Sequence, residues 1–156
     1  MIKNFLYIRE SSAFGRQGEF ATKLHDNNFD AVVVDIFHRT GEQLSKRAVE
    51  TLKFKKLGAR RLVLAYLNIG AAESHRSYWK SHWREGSPRW ISAAYPGEAD
   101  KYFIQYWHPD WRQIITGNTD SYIYGIVKQG FDGVVLDGVD TYRYFEGGMD
   151  AVEVVR

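Results

Sequence analysis

The 156-residue sequence contains no cysteine. That excludes disulfides, thiolate metal sites and a cysteine nucleophile, and it is neutral about compartment. No stretch is long and apolar enough to span a bilayer as a helix. Nor does a secretory leader precede the first strand-like residues, Phe5-Leu-Tyr-Ile, so the expectation is a cytosolic chain or a trimmed secreted domain. Lys and Arg form no dense run and the net charge is only +2; nothing calls for nucleic acid or an anionic membrane as partner. Phosphate-binding motifs are missing too, with no Gly-Lys-Ser/Thr loop and no Gly-x-Gly-x-x-Gly after a strand. The His-x-Gly-His and Lys-Met-Ser-Lys-Ser signatures of a synthetase-like nucleotide site are likewise absent. Five histidines (His25, His38, His75, His82 and His108) lack metalloprotease spacing, although His75 and His82 share a segment. No metal and no other cofactor is expected.

What is present is ordinary in bulk and unusual in one respect. Hydrophobic residues make up 44% and charged residues 26%, so residues 1–156 read as one globular domain with a real core. Aromatic residues reach 15%, with five Trp and ten Tyr. Flat amphipathic rings of this kind line sugar-binding clefts, although a Trp more often fills a core.

Along the chain, strand-like and helix-like segments alternate. Phe5–Ile8, Phe29–Phe37, Arg61–Leu67, Tyr102–Trp107 and Gly133–Leu136 read as strands. Glu19–Asn27, Ser45–Lys56, Pro109–Ile115 and Tyr122–Gln129 read as helices, the second from Leu44, Ala48, Val49, Leu52 and Leu57 at helical spacing. Ala71–Ala99, rich in Trp and Tyr and punctuated by Pro88 and Pro96, reads as a long irregular loop of the kind that carries function. Gly147-Gly148 reads as a turn. This βα alternation predicts an α/β fold with about five parallel strands.

The most informative segment is Gly130-Phe-Asp-Gly-Val-Val-Leu-Asp137-Gly-Val-Asp140. Val134–Leu136 is too short for a helix and has the composition of a buried parallel strand. Asp137 and Asp140 follow where such a strand leaves its sheet, the edge that carries chemistry in α/β folds. Two readings stand side by side: an acid/base or nucleophilic site, or carboxylates that merely cap a helix or shape a turn. Phe29-Asp30-Ala-Val-Val-Val-Asp35 echoes Phe131-Asp132-Gly-Val-Val-Leu-Asp137 position for position. With right-handed crossovers, Asp35, Asn68, Trp107 and Asp137 would share one rim. Carboxylate, amide and aromatic groups together fit a sugar better than a phosphate.

Three motifs occur in one order: Tyr66-Leu-Asn-Ile-Gly-Ala-Ala-Glu-Ser-His-Arg-Ser-Tyr-Trp79, then Tyr106-Trp107-His-Pro-Asp-Trp111, then Gly130–Tyr142. In these the chain resembles glycoside hydrolase family 114, the endo-α-1,4-polygalactosaminidase-like group, over about Phe5 to Phe145. The resemblance implies a TIM-type (β/α) barrel acting on α-linked, amino-sugar-containing polysaccharide or oligosaccharide. It implies that Asp137 is catalytic, as nucleophile or its electrostatic equivalent, with Asp140 in support. Asp35, Tyr66, Glu73 and Arg76 sit on matching segments and would shape the sugar subsite together with Asn68, Tyr106 and Trp107. Glu73 could equally pair with Arg76 across a helical turn.

Two departures from the family pattern stand out. Its usual Ile-Gly-Glu-Ala-Glu reads Ile69-Gly-Ala71-Ala-Glu73 here, one carboxylate fewer. A full barrel also takes ~200–250 residues, so the expectation is an incomplete barrel, truncated relative to the full fold. The family's second acid would lie on a later strand; Glu146, Asp150 and Glu153 match no family acid. Open sheet edges would then favour association with a second copy. The alternative function is a non-catalytic carbohydrate-binding or remnant domain that keeps Trp79, Trp83 and Trp107 but lacks the second catalytic acid.

Overall fold

A computed structural model describes residues 1–147; Asp150 and Glu153 lie outside the described residues. The chain divides into two compact units, Met1–Leu67 with Tyr122–Val135, and Asn68–Ser121 with the segment that starts at Leu136.

The first unit is built on parallel strands. β1 (Phe5–Ile8) leads through a 3₁₀ turn (Ser11–Phe14) and α1 (Gln17–His25) to β2 (Ala31–Val34). A small antiparallel pair, β3 (Phe37–Arg39) and β4 (Glu42–Gln43), precedes α2 (Lys46–Leu52) and β5 (Leu62–Asn68). β1 pairs with β2 from Phe5 opposite Ala31 to Ile8 opposite Val34, and β2 with β5 from Ala31 opposite Leu62 to Val34 opposite Ala65. The order is completed by β9 (Gly133–Asp137) beside β5. There Asp132 N–H donates to Val63 O and Ile69 N–H to Asp137 O, so that pair advances in one direction as well. This α/β arrangement, an open parallel sheet with no closed barrel among the described residues, is the incomplete barrel expected.

Why these segments fold so is local. Every residue of β2 is buried, as a strand covered on both faces requires. Val32, Val34 and Val63 pack against Phe20 and Leu24 of α1 and Val49 and Leu52 of α2. Ser45 Oγ caps α2 by accepting Ala48 N–H. The helix stops at Leu52 rather than running to Lys56, because the chain turns back and Phe54 bridges to Arg60. β2 likewise ends at Val34: the Asp35 carboxylate accepts Phe37 N–H at 2.9 Å and turns the chain aside. Arg61 pins the unit from within. It is 2% exposed, and its guanidinium donates to Leu24 O, Leu52 O, Phe54 O and Asn27 Oδ1. Burial pulls its pKa down from the ordinary value.

The second unit corrects two expectations. Ala71–Ala99 is not an irregular loop, and Tyr102–Trp107 is not a strand of the parallel sheet. β6 (Ala71–Glu73), β7 (Ile91–Tyr95) and β8 (Glu98–Ile104) form an antiparallel sheet in the order β6-β8-β7. The hairpin between β7 and β8 turns on Pro96-Gly97, with Gly97 at φ +77°, the pairing of residues a type II turn takes. The parallel sheet therefore has four strands, and Trp107 ends none of them. It lies in the turn before α3 (Pro109–Ile115), where His108 N–H donates to Gln105 O. Trp90, Phe103, Ile104 and Trp111 are buried in this unit. α4 (Tyr122–Gln129) returns the chain to the first unit, and α5 (Tyr142–Gly147) follows β9; the Gly147 end of the expected turn is helical.

Candidate functional site

The second unit holds a crossing of two loops, one leaving β5 and one leaving β9. Asn68, the last residue of β5, turns its side chain back so that Oδ1 accepts Gly70 N–H at 3.0 Å and Ala71 N–H at 2.8 Å. Ile69 N–H reaches Asp137 O at 3.0 Å, while Ile69 O accepts the Trp111 indole N–H at 2.9 Å. The two loops touch at glycines. A Cβ on Gly70 would stand 2.0 Å from Gly138 O and 2.3 Å from Thr141 Oγ1. Gly138 has φ +72°, and a Cβ there would meet Asn68 Oδ1 at 2.3 Å. Backbone approach this close leaves room for no other residue at either point.

That crossing aims the carboxylates. Asp137 Oδ1 accepts Gly138 N–H at 2.8 Å, which fixes the carboxylate on its own following peptide. Thr141 N–H closes back onto Gly138 O and Arg143 N–H onto Asp140 O, carrying the chain into α5. A cavity of about 150 Å³ opens here, lined by Asn68, Tyr95, Lys101, Phe103, Asp137 and Asp140, with Gly138 and Thr141. A second cavity, about 550 Å³ and mostly apolar, shares Gly138. Its walls include Tyr106, Trp111, Val139 and Tyr142, with Arg112 and Glu146 as its charged residues. Its volume falls within the ordinary range for ligand sites.

Four side chains of the smaller cavity escaped the sequence reading: Tyr95, Lys101, Phe103 and Thr141. Tyr95 Oη lies 3.2 Å from Thr141 Oγ1. The ring stacks on Phe103 with centroids 3.8 Å apart, and Phe103 stacks on Tyr144 at 4.0 Å. Burial raises the Tyr95 phenol above its ordinary pKa, and the charges of Asp140 and Asp137 raise it further. It is therefore a neutral hydroxyl beside two acids. The Lys101 ammonium sits 4.3 Å from the centre of the Tyr95 ring, a cation–π contact. The signal that could have found Tyr95 and Lys101 was the Tyr-Pro-Gly-Glu turn at 95–98, which predicts a hairpin.

The remaining expected residues fall in several places. Asp35 and Tyr66 belong to the first unit, where Tyr66 is buried against Tyr7 and Arg9. Glu73 and Arg76 bond to each other at 2.6 Å, with side chains 5% and 6% exposed, and line neither cavity. The pairing weighed against a sugar role for Glu73 is thus formed. His75 bonds to Asp100 at 3.0 Å. Trp107 is 50% exposed, edge-on to both Tyr106 and Phe145. Trp79 stacks on Tyr102 and meets Trp83 edge-on, and Trp83 meets Trp90 in turn. Among the described residues no three His, Asp or Glu side chains gather as a metal site, and no helix is long and apolar enough to cross a membrane.

Comparisons with known proteins bear on this geometry. In structure, the chain is similar to the glycoside hydrolase domain of PelA from Pseudomonas aeruginosa, with a TM-score of 0.55 at 22% identity over 97% of this chain and 51% of that one. It is also similar to a noncanonic maltogenic alpha-amylase, AmyB, from Thermotoga neapolitana, with a TM-score of 0.51 at 16% identity over 98% of this chain and 44% of that one. At such identities the likeness is one of fold. In sequence, an uncharacterized protein of Methanocaldococcus jannaschii is 36% identical over 150 residues, and one of Thermotoga maritima 31% identical over 123 residues. The matches cover 95% and 79% of this chain but 41% and 36% of those proteins, so the chain spans less than half the length of these relatives. The model of glycoside-hydrolase family GH114 matches residues 11–154, a span that takes in the loop crossing and both of its aspartates. The chain belongs to glycoside hydrolase family GH114.

Proposed function

We propose that this chain is a glycosidase domain for α-linked, amino-sugar-containing polysaccharide, of the endo-α-1,4-galactosaminidase type, with Asp137 as its principal catalytic carboxylate. The observation that carries the reading is the placement of Asp137. It leaves β9 at the loop crossing, anchored on Gly138 N–H, in a cavity it shares with Asp140. A fixed carboxylate beside an anomeric carbon serves as nucleophile or stabilises the oxocarbenium-like transition state. Asp140 orients a sugar hydroxyl beside it. Asn68 holds the crossing in place, and Tyr106 supplies an aromatic wall in the adjoining cavity for a neighbouring sugar. Trp107 offers a half-exposed ring for a sugar further along the chain.

The test is release of reducing ends from a partly deacetylated α-1,4-galactosamine polymer by wild type and by Asp137→Asn. The expected loss on substitution is about 10²–10⁴-fold, the scale of removing a positioned catalytic group. Equal activity in both would remove Asp137 from the mechanism. Binding of the polymer by both proteins with cleavage by neither would favour the carbohydrate-binding alternative.

A further inference from the structure

Two stretches of the chain carry several Lys and Arg residues each, and the fold treats them oppositely. In residues 53–61, Lys53 pairs with Glu50, Lys55 with Asp30, Lys56 with Asp26 and Arg60 with Asp132, while Arg61 is spent on backbone carbonyls. In residues 79–90 the cations are Lys80, Arg84 and Arg89, all exposed, with exposed His82 among them. Among the described residues none of these forms an ion pair, and Lys80 rests over the Trp83 ring at 5.5 Å. Glu85, the only acid of the segment, is turned to backbone: its carboxylate accepts Ala94 N–H at 3.2 Å. Hydrogen bonds hold the segment in one shape. Trp83 N–H donates to Lys80 O at 2.9 Å, Arg84 and Ser87 exchange N–H···O bonds at 2.9 Å, and Gly86 N–H donates to Ile91 O at 2.8 Å. Aromatic rings sit beside the charges, with Trp79 stacked on Tyr102 at 5.0 Å and edge-on to Trp83. On β8, Lys101 and Phe103 line the smaller cavity, so Tyr102 between them lies on the opposite face of its sheet. No residue of the segment lines either cavity. The cations and rings form a surface of their own.

We propose that residues 79–90 form a second binding surface, for an acidic polysaccharide bearing a carboxylate on each sugar. Lys80, Arg84 and Arg89 take the carboxylates, and the partly exposed rings of Trp79 and Trp83 take sugar faces. The contrast with residues 53–61 carries the proposal: there the chain supplies its own carboxylates, and here it supplies none. Duplex nucleic acid fits this surface less well. It presents a charge every ~1.7 Å and is commonly met by about 6–10 phosphate contacts, a density the segment lacks, whereas a uronic-acid polymer spaces its charges by whole sugar rings. A lipid bilayer fits less well too, because no large apolar side chain of the segment is among the exposed ones. Binding here requires neither Asp137 nor any cleavage, so the proposal stands apart from the glycosidase reading.

The experiment is calorimetric titration of the full chain at low salt with an α-1,4-linked oligogalacturonate, beside a neutral α-1,4-glucan oligomer of equal length. Wild type binds the acidic oligomer about tenfold more tightly than the neutral one, the summed scale of several exposed charge contacts, and added salt removes the difference. Combining Lys80→Gln, Arg84→Gln and Arg89→Gln abolishes the preference. Removing the same charge elsewhere, with Lys46→Gln, Arg47→Gln and Lys128→Gln combined, changes affinity by no more than about twofold, the remainder left to long-range net charge. Asp137→Asn binds as wild type does. Equal affinity of wild type for both oligomers, or binding of neither, overturns the proposal without any variant, so a misfolded combination does not shelter it. Equal losses in the two charge-removed proteins overturn it as well, since net charge then accounts for the binding. Loss of binding in Asp137→Asn places the ligand in the cavity and overturns the second surface. Tighter binding to a DNA duplex or to phosphatidylserine vesicles than to oligogalacturonate overturns the choice of partner.

Discussion

The two units of this chain spend their polar groups differently. In the first, nearly every charged or amide side chain singled out by its burial is committed to holding backbone. Arg61 is spent on three carbonyls and Asn27, Gln129 donates to Ile36 O and Leu44 O, and Asp132 bridges Val63 N–H and Arg60. In the second, Asp137, Asp140, Lys101 and the Tyr95 hydroxyl face a common cavity, and the backbone around them is held instead by Asn68 and by glycines in contact. Structural polar groups are recognisable by the acceptors and donors they satisfy, and the groups proposed for function by the space they share. The contrast predicts that substitutions in the first unit cost stability and leave the chemistry of folded molecules intact, while those at the cavity do the reverse.

The sharpest way to break that contrast is Arg61→Met. Removing the guanidinium takes the donor from the carbonyls of Leu24, Leu52 and Phe54, a loss of about 3–4 kcal/mol in unfolding free energy by denaturant titration. Binding of oligosaccharide per folded molecule should not change; a shift there would mean that the first unit does more than support. Gly70→Ala comes next and should fail on both counts. Its methyl has to displace Gly138 O, costing about 2–3 kcal/mol by overpacking, and the displacement carries Asp137 with it, so sugar binding weakens as well. Tyr95→Phe is the milder cavity change. It removes one hydroxyl contact worth about 1 kcal/mol and should alter oligosaccharide affinity more than it alters the melting temperature.

How much of this was legible in advance depends on the kind of signal. The repeat of Phe-Asp-x-Val-Val-x-Asp foretold two parallel strands correctly, and the fold explains the leading aspartate of each copy. Asp30 bonds Lys55 and Lys3 N–H, and Asp132 bonds Arg60 and Val63 N–H and forms a longer ion pair with Lys53. Each ties the start of its strand to a neighbour. The trailing aspartates diverge: Asp35 shapes a turn, whereas Asp137 enters a cavity. No local pattern separates those two fates, since the difference lies in Gly70 and Gly138, residues 68 positions apart that meet only in the fold. The antiparallel sheet was missed for another reason. β6 and β7 are small-residue strands, Ala-Ala-Glu and Ile-Ser-Ala-Ala-Tyr, without the alternation that marks a half-buried strand. Tyr102–Ile104 then looked like one more buried parallel strand.

The smallest expected effect concerns pH and the first unit alone. Hydrogen bonds from Lys55 and from Lys3 N–H hold the Asp30 carboxyl at a pKa of about 2. A carboxyl depressed in the fold stabilises it fully above its unfolded pKa of about 4 and loses that contribution as pH falls toward 2. Thermal melts of wild type and Asp30→Asn should therefore differ at neutral pH and converge as pH approaches 2. Oligosaccharide affinity of the folded protein should be the same for both.

All five tryptophans, Trp79, Trp83, Trp90, Trp107 and Trp111, lie in the second unit. Intrinsic fluorescence is thus a reporter for that unit alone, and it gives the most direct test of where sugar is handled. Titration with an N-acetylated α-1,4-galactosamine oligomer is predicted to give a saturable change in tryptophan emission in wild type. The same change should appear in Asp137→Asn, which on the proposed mechanism leaves the ligand intact. Calorimetric binding of the oligomer with no change in emission, or no binding at all, would contradict the account.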